Sequence, residues 1–295
     1  MKKAYLFAAT SILCWSTFAA SAKLLLNDLN NIQLLWANSF FAMIFLLLVI
    51  LFTGKIKLLK SYKLRDYINM ILIGFPGTFL YYMFYYAGAD RLPASQALII
   101  NYMWPVMSVV FACIILKEKM TLKKGIAIGV SFLGVCIVTG EDLLQLNQNM
   151  AIGALLCILG AMSYGIFTAL NNKYHYDKTT SMMLSYFATF LLTGVINLVN
   201  DDMFLPSFGQ VLGFAWSGVF TMAIANTVWI LALEAGNTAI ISNLAYITPF
   251  LSLVWTSLLL KEEITVSSIA GLIVIVLGIF IQLIRKPRKL FLLNR

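Results

Sequence analysis

Long apolar runs, broken at short intervals by clusters of charge and turn formers, fill this chain from end to end. A helix that crosses a bilayer needs about 20 mostly apolar residues. Ten segments meet that length: residues 4–26, 32–53, 66–88, 92–116, 121–140, 150–171, 179–199, 210–233, 237–260 and 264–285. The breaks between them hold Asn27-Asp28, the basic run 55–65, Asp90-Arg91, the run 117–124, Glu141-Asp142, the run 173–178, Asp201-Asp202, and the stretches 234–237 and 261–263. These are turn and charge signals, and no break is long enough for a soluble domain. The pattern predicts an all-α integral membrane protein of ten transmembrane helices. Residues 1–22 also look like a secretion signal, with Lys2 and Lys3 ahead of an apolar run and Ala20-Ser21-Ala22 behind it. The run is too long for a signal core, and Trp15 and Phe18 return later as Tyr164 and Phe167, so the stretch is read as the first helix.

The segments are related to one another. Residues 74–138, moved along by 144 positions, fall on 218–282 without a gap. Tyr102-Met103-Trp104-Pro105 lands on Tyr246-Ile247-Thr248-Pro249, Leu116-Lys117-Glu118 on Leu260-Lys261-Glu262, and Thr121 on Thr265. Gly74 and Gly134 land on Gly218 and Gly278, Tyr85 on Trp229, and Asp90 on Glu234. Earlier helices align at a slightly different shift, with Trp15 on Tyr164. The first copy is placed at 1–145 and the second at 146–295, which ends in a short basic tail. Each copy holds five helices, an odd number, so the second copy sits upside down relative to the first. Lys117-Glu118 and Lys261-Glu262 are therefore predicted on opposite faces of the membrane. Two similar inverted halves can exchange conformations, which opens a central site to each side in turn.

Composition sharpens this picture. The chain is 61% apolar and 11% charged, where a soluble domain carries about a quarter of its residues as charges. The net charge of +9 lies almost wholly in short loops. With the amino terminus inside, the cytoplasmic segments hold Lys2, Lys3, the runs 55–65 and 117–124, Lys173, Lys178 and the tail 285–295, against Arg91 and Lys261 outside. That bias predicts both termini in the cytoplasm and a multi-pass protein of the plasma membrane. No loop interleaves aromatics with a basic stripe, so nucleic acid is excluded as a partner; the partners expected are the lipid bilayer and a small-molecule substrate. Cys14, Cys113, Cys136 and Cys157 lie in apolar runs at no metal or redox spacing and read as small buried hydrophobes. There is no Gly-rich Walker loop and no Ser/His/Asp, Cys/His or metal-ligand cluster. The expectation is no enzyme, no cofactor and no direct use of ATP. The single histidine, His175, is in a loop, and no acidic residue stands at a helix centre. Proton-driven carriers commonly place such a group in the span. Facilitated transport, or coupling by a helix-end group, is expected, with a neutral or zwitterionic substrate.

The fourth segment reads Tyr102-Met103-Trp104-Pro105, then an apolar run to Leu116, then Glu118 and a helix with Gly125, Gly129 and Gly134; the ninth repeats the pattern around Pro249, Glu262, Gly271 and Gly278. On these features the chain resembles the drug/metabolite transporter superfamily, in its EamA-type branch of ten-helix carriers, over nearly its whole length. Asn101-Tyr102-Met103-Trp104-Pro105 is similar to the helix 4 motif of the aromatic amino-acid exporters. The resemblance implies export of amino acids or related metabolites through a cavity lined by helices 1, 3, 4, 6, 8 and 9. Trp15, Tyr102 and Trp104 stand where pocket aromatics are expected, while Tyr164 stands where that group is expected to hold tryptophan.

The residues themselves point the same way. Tyr81, Tyr82, Tyr85 and Tyr86 crowd one helix, with 81 and 85 on one face and 82 and 86 about a hundred degrees round. Phenol hydroxyls at bilayer depth need partners or water, so this density predicts a wet or ligand-filled cavity, with Tyr81 and Tyr85 as its lining face. The expected binding residues are Trp15, Tyr81, Tyr85, Asn101, Tyr102, Trp104, Tyr164, Trp229 and Tyr246. Asn38, Asn226 and Asn243 could also take a polar substrate end, and an asparagine can equally glue helices together. Pro105 and Pro249 are expected to kink their helices as matched hinges, and Asp90, Glu234, Glu118 and Glu262 at helix ends read either as solvated loop charges or as gate groups, for instance Asp90 with Arg91. Lys23 either snorkels to the interface or meets a substrate carboxylate. Gly125-Ile126-Ala127-Ile128-Gly129 is a small-residue packing motif. It closes the fifth helix on its own bundle, the preferred reading, or joins two copies, so monomer and homodimer both stand. The function expected is a secondary transporter exporting aromatic or other neutral amino acids by alternating access. A multidrug, organic-cation or nucleoside carrier of the same fold is the alternative within the class, and a receptor or scaffold without flux the alternative outside it.

Overall fold

In the computed structural model, which describes residues 2–144, 148–235, 244 and 247–283, all regular structure among the described residues is helical. The long helices are α1 (Lys2–Leu26), α2 (Asn31–Phe52), α3 (Leu64–Arg91) and α4 (Ala94–Ile115). There follow α5 (Leu122–Leu144), α6 (Gln148–Lys173) and α7 (Lys178–Val199). Phe208–Phe214, Ala215–Ile224 and Ala225–Ala235 run on as α8, and α9 (Thr248–Leu260) and α10 (Val266–Leu283) close the order. Seven of these helices, α1 to α4 and α6 to α8, are long and apolar enough to cross a membrane. A short helix, Ile56–Ser61, carries part of the basic run between α2 and α3.

The helix boundaries follow from side chains that satisfy the free backbone groups at each end. Asn30 and Gln33 form a capping box on α2, and Ser207 and Gln210 another on α8. Thr121 and its repeat partner Thr265 accept the same early amides of α5 and α10, from Lys124 at 3.3 Å and Ser268 at 3.1 Å. Beyond α4 and α9 the chain turns at Lys117 and Lys261, each with φ 56°. A lysine in the left-handed region carries a steric cost, and the two halves accept it at the same register. The helices are also interrupted in matched places. α3 and α8 contain π-helical stretches at Pro76–Leu80 and Ala215–Ile224. α4 breaks at Tyr102-Met103, so Pro105 falls in the first turn of the half that follows, and Pro249 falls in the first turn of α9. A proline there loses no hydrogen bond. The expected kink within α4 is thus a break one turn ahead of Pro105.

Helix pairing has a two-fold character. α5 packs on α10 and α2 on α7. α1 packs on α8 and α9, as α6 does on α3 and α4; α2 packs on α8, as α7 does on α3. Exchanging the halves maps each pair onto another. The α5–α10 contact is a close one: a Cβ at Gly134 would stand 2.7 Å from the Gly271 carbonyl, and one at Gly278 would stand 2.8 Å from the Ala127 carbonyl. Gly125 and Gly129, by contrast, meet nothing within 4 Å. The motif packs internally through its central Ala127 and not through its glycines: the face of α5 that meets α10 carries Ala127, Ser131, Gly134 and Val138. Of the four cysteines, Cys14 and Cys157 are buried and Cys113 is partly so, while Cys136 is exposed on the outer face of α5.

Polar ties pin both ends of the α2–α7 pair. At one end Asn30 Nδ2 donates to Asp202 Oδ2 at 3.2 Å and Gln33 Nε2 to the Asp202 carbonyl at 2.6 Å. At the other, Lys55 Nζ meets Asp177 at 2.7 Å, while Asp177 caps α7 through Thr180. Burial pushes the Asp177 carboxyl up, but the hydrogen bonds from Lys55 and Thr180 outweigh it and hold the group below its ordinary value. A lowered folded value stabilises the protein above the unfolded pKa, and that contribution is lost as pH falls through the lowered one. Asp177→Asn is therefore expected to cost about 0.5–1 kcal/mol at neutral pH. In thermal unfolding across a pH series, its gap to the parent should close below the ordinary carboxylate range.

Candidate substrate-binding site

The site is built on α3. Tyr81, Tyr82, Tyr85 and Tyr86 are all buried, so burial does not single out one face. The two faces meet different helices. Asn38 of α2 donates to the Tyr86 hydroxyl at 2.9 Å, which ties α2 to α3, and its carbonyl oxygen is buried without a protein partner among the described residues. Asn101 of α4 donates to the Tyr81 hydroxyl at 3.0 Å. From Tyr81 the aromatic contacts run to the Tyr164 ring of α6 at 5.0 Å, and from Tyr164 to Trp104 of α4 at 5.2 Å, edge to face. Phe167 lies 5.5 Å from Tyr164, one turn along α6. Tyr85 stacks on Phe18 of α1 at 5.0 Å.

Four of the expected binding residues thus form one connected group, Tyr81, Asn101, Trp104 and Tyr164, which Tyr85 joins through the Tyr81 ring at 6.1 Å. The break in α4 explains the placement of Asn101 and Trp104. The backbone turns at Tyr102-Met103, so side chains on either side of the break leave the normal helical spacing. Tyr102 is buried at that turn. Trp15 and Trp229 form a second aromatic pair, 5.3 Å apart, between α1 and α8. Their repeat partners are Tyr164 and Tyr85, so this pair is the counterpart of the first group across the two halves. Tyr246 and Asn243 lie outside the described residues, as does the side chain of Glu234. Asn226 bonds its own helix at the Met222 carbonyl, 2.5 Å away.

Two buried polar atoms in the first group have no protein partner among the described residues: the carbonyl oxygen of Asn101 and the hydroxyl of Tyr85. A buried polar atom left unpaired costs about 1–3 kcal/mol. Here they provide an acceptor and a donor amid aromatic surface, the chemistry that an ammonium and a carboxylate or other polar end require.

The gate residues sit at the α3–α4 junction. Asp90 and Arg91 do not bond to each other; Arg91 Nη1 instead donates to the Ala87 carbonyl at 2.6 Å. The junction is held by two groups from elsewhere. Lys23 Nζ donates to the carbonyls of Ala89 at 2.5 Å, Asp90 at 3.3 Å and Leu92 at 2.9 Å. Glu262 accepts from Ala94 N at 2.7 Å, Ser95 N at 3.0 Å and Ser95 Oγ at 2.9 Å. Lys23 therefore neither snorkels freely nor points at a substrate. Sequence reasoning also left out Phe18 and Phe167, although the repeat pairs them with each other.

A groove of about 440 Å³ opens elsewhere, on the outer wall between α1, α8 and α9, lined by Leu13, Cys14, Thr17, Trp216, Trp255 and Leu259 among others. Its two indoles are tied inward, Trp216 to Thr17 and Trp255 to Ser16, each at 2.9 Å. None of the expected binding residues lines it, and its apolar rim faces where lipid tails would lie.

Comparison with known proteins agrees with a carrier. The pattern of the EamA-like transporter family matches residues 2–140 and again 151–284. The uncharacterized transporter YoaV of Bacillus subtilis is 24% identical over 98% of this chain and 99% of its own. The aromatic amino acid exporter YddG of Salmonella typhimurium is 24% identical over 64% of this chain and 67% of its own. A solved crystal structure superposes on 95% of this chain and 96% of its own with a TM-score of 0.68 at 18% identity, a likeness of fold.

Proposed function

The chain belongs to the EamA-like transporter family, and on that premise we propose a secondary carrier that exports aromatic or other neutral amino acids from the cell. In this reading it has ten membrane spans in two inverted five-helix repeats, at 1–145 and 146–295, with both termini in the cytoplasm of a plasma-membrane protein. Three matched features favour the repeat: the two-fold set of helix pairs, the left-handed turns at Lys117 and Lys261, and the π-helical stretches of α3 and α8. The bias of lysine and arginine toward one side favours the orientation.

The observation that carries the substrate class is the aromatic and amide group of Tyr81, Asn101, Trp104 and Tyr164, with an unpaired carbonyl on Asn101 and an unpaired hydroxyl on Tyr85. Aromatic rings give a planar side chain stacking surface. The unpaired polar atoms give a zwitterion's ends a partner each, with no fixed charge that would demand a net-charged ligand. Trp15 and Trp229, the counterpart pair, would serve the same substrate from the group of α1, α8 and α9. Alternating access follows from rocking of α1, α8 and α9 against α6, α3 and α4, while α2–α7 and α5–α10 hold the halves together.

Tracer counterflow in proteoliposomes tests this reading. Preloaded unlabelled phenylalanine should drive saturable uptake of labelled phenylalanine, with tyrosine and tryptophan competing. Counterflow with an organic cation and none with any amino acid would replace the substrate. No counterflow with any solute would end the carrier reading, and single-channel conductance would put a pore in its place.

A further inference from the structure

Glu118 and Glu262 leave the same backbone turn in the two halves, one residue after a lysine at φ 56°, yet their carboxylates are differently engaged. Glu262 reaches across to the other half and caps the amino end of α4 with three hydrogen bonds. Glu118 stays in its own half, half-exposed, and pairs with Lys124 at 2.9 Å. Lys23 acts beside Glu262, placing its ammonium on three carbonyls at the carboxyl end of α3. The α3–α4 junction is therefore held between an anion on a helix amino end and a cation on a helix carboxyl end, each opposite the dipole it complements. The helix packing agrees. At this end α9 lies against Phe18–Leu26 and Ala94–Asn101, and Phe18–Leu26 lies against Tyr81–Arg91, so the two moving groups of helices touch. At the other end the main packing of Lys2–Ser16 is on α8 and α9, and that of Trp104–Ile115 is on α6, each within its own group among the described residues.

We propose that Glu262 and Lys23 form a latch that keeps this end of the carrier closed, and that Glu118 on Lys124 is the repeat-related carboxylate in the released position. The inference rests on the carrier reading and adds to it the groups that set which end is shut. The latch is biased. Lys124 gives a released Glu118 a cation in its own half, whereas the residue aligned with Lys124 in the second half is Ser268, which has no charge to offer Glu262. Lys23 likewise aligns with Asn172. The resting carrier is therefore closed at the Glu262 end, and substrate arriving from the other side must pull Glu262 off α4 before release.

Thiol accessibility tests this without a transport assay. Leu98 is buried one turn below Ser95. Leu98→Cys is placed in a background with the four native cysteines changed to alanine, and labelling by a polar maleimide is timed on purified protein in nanodiscs. Glu262→Gln removes the charge of the cap and is expected to speed labelling about tenfold, the ratio that one charge-assisted contact sets. Glu118→Gln is expected to leave the rate at or below the parent's. Parental labelling in a Glu262→Gln protein that elutes as the parent does would overturn the latch, and so would equal acceleration by both variants. If Glu262→Gln does not purify, Ser95→Ala removes one of the three hydrogen bonds and should speed labelling about threefold; an unchanged rate again overturns the proposal. A carrier that fails in counterflow yet gives this labelling pattern would lose its function and keep its latch.

Discussion

Trp104→Ala is expected to reduce phenylalanine counterflow at least about thirtyfold while the protein still purifies as the parent does. Trp104 is half-buried, so removing its indole opens space at a site already next to a break in α4 and leaves the helix pairs untouched. Binding loses more than the fold does. The indole meets Tyr164 edge to face at 5.2 Å, and Tyr164 in turn meets Tyr81 at 5.0 Å, so one truncation removes the end of a connected aromatic surface. Buried aromatic anchors of this kind cost about 2 kcal/mol or more when truncated, which is the thirtyfold stated. Tyr164→Phe keeps the ring and should stay within about threefold of the parent. Trp216→Phe, on the outer groove, should leave counterflow unchanged. Loss of aromatic-cation transport greater than loss of amino-acid transport in Trp104→Ala would move the site to the cation carriers. Equal loss in Trp216→Phe would move it to the outer wall.

The helical architecture was legible because hydropathy and loop charge are read one residue at a time. The details that escaped are relations between helices. Asn38 and Asn101 are both amides in apolar helices with equal claims on a substrate; only the structure separates them, since both bond a tyrosine of α3 but Asn101 also belongs to the Trp104–Tyr164 group. The four tyrosines divide by which helix each face meets, which periodicity cannot supply. Lys23 read as an ambiguous cation because its partners are backbone carbonyls 66 to 69 residues away. Glu262 was placed correctly at a helix end, but its target amides lie 168 and 167 residues away. The small-residue motif was legible only in part, for a related reason. Gly125 and Gly129 have the spacing of a packing face, but the stripe that meets the partner helix runs through Ala127 between them.

Gly134→Val tests that stripe and has the largest expected effect on folding. A Cβ at Gly134 would lie 2.7 Å from the Gly271 carbonyl oxygen and 2.8 Å from the Ile275 amide nitrogen, both backbone atoms that cannot rotate aside. Gly278 faces the Ala127 carbonyl and the Ser131 amide at 2.8 Å in the reciprocal arrangement. In lipid no hydrophobic force pulls helices together, and close backbone approach through small residues is what holds a pair. Separating α5 and α10 to admit a branched side chain forfeits those contacts along the whole helix pair. Gly134→Val and Gly278→Val are each expected to cost about 3 kcal/mol or more, seen as loss of the monodisperse peak in detergent and a fall in folded yield. Gly125→Ala and Gly129→Ala point into open space and should change thermal stability by less than about 0.5 kcal/mol. Because α5 ends the first half and α10 the second, the reciprocal sensitivity of Gly134 and Gly278 also bears on the two-fold relation. A destabilised Gly134→Val beside a stable Gly278→Val would break that symmetry. Normal purification of both would separate α5 from α10 altogether.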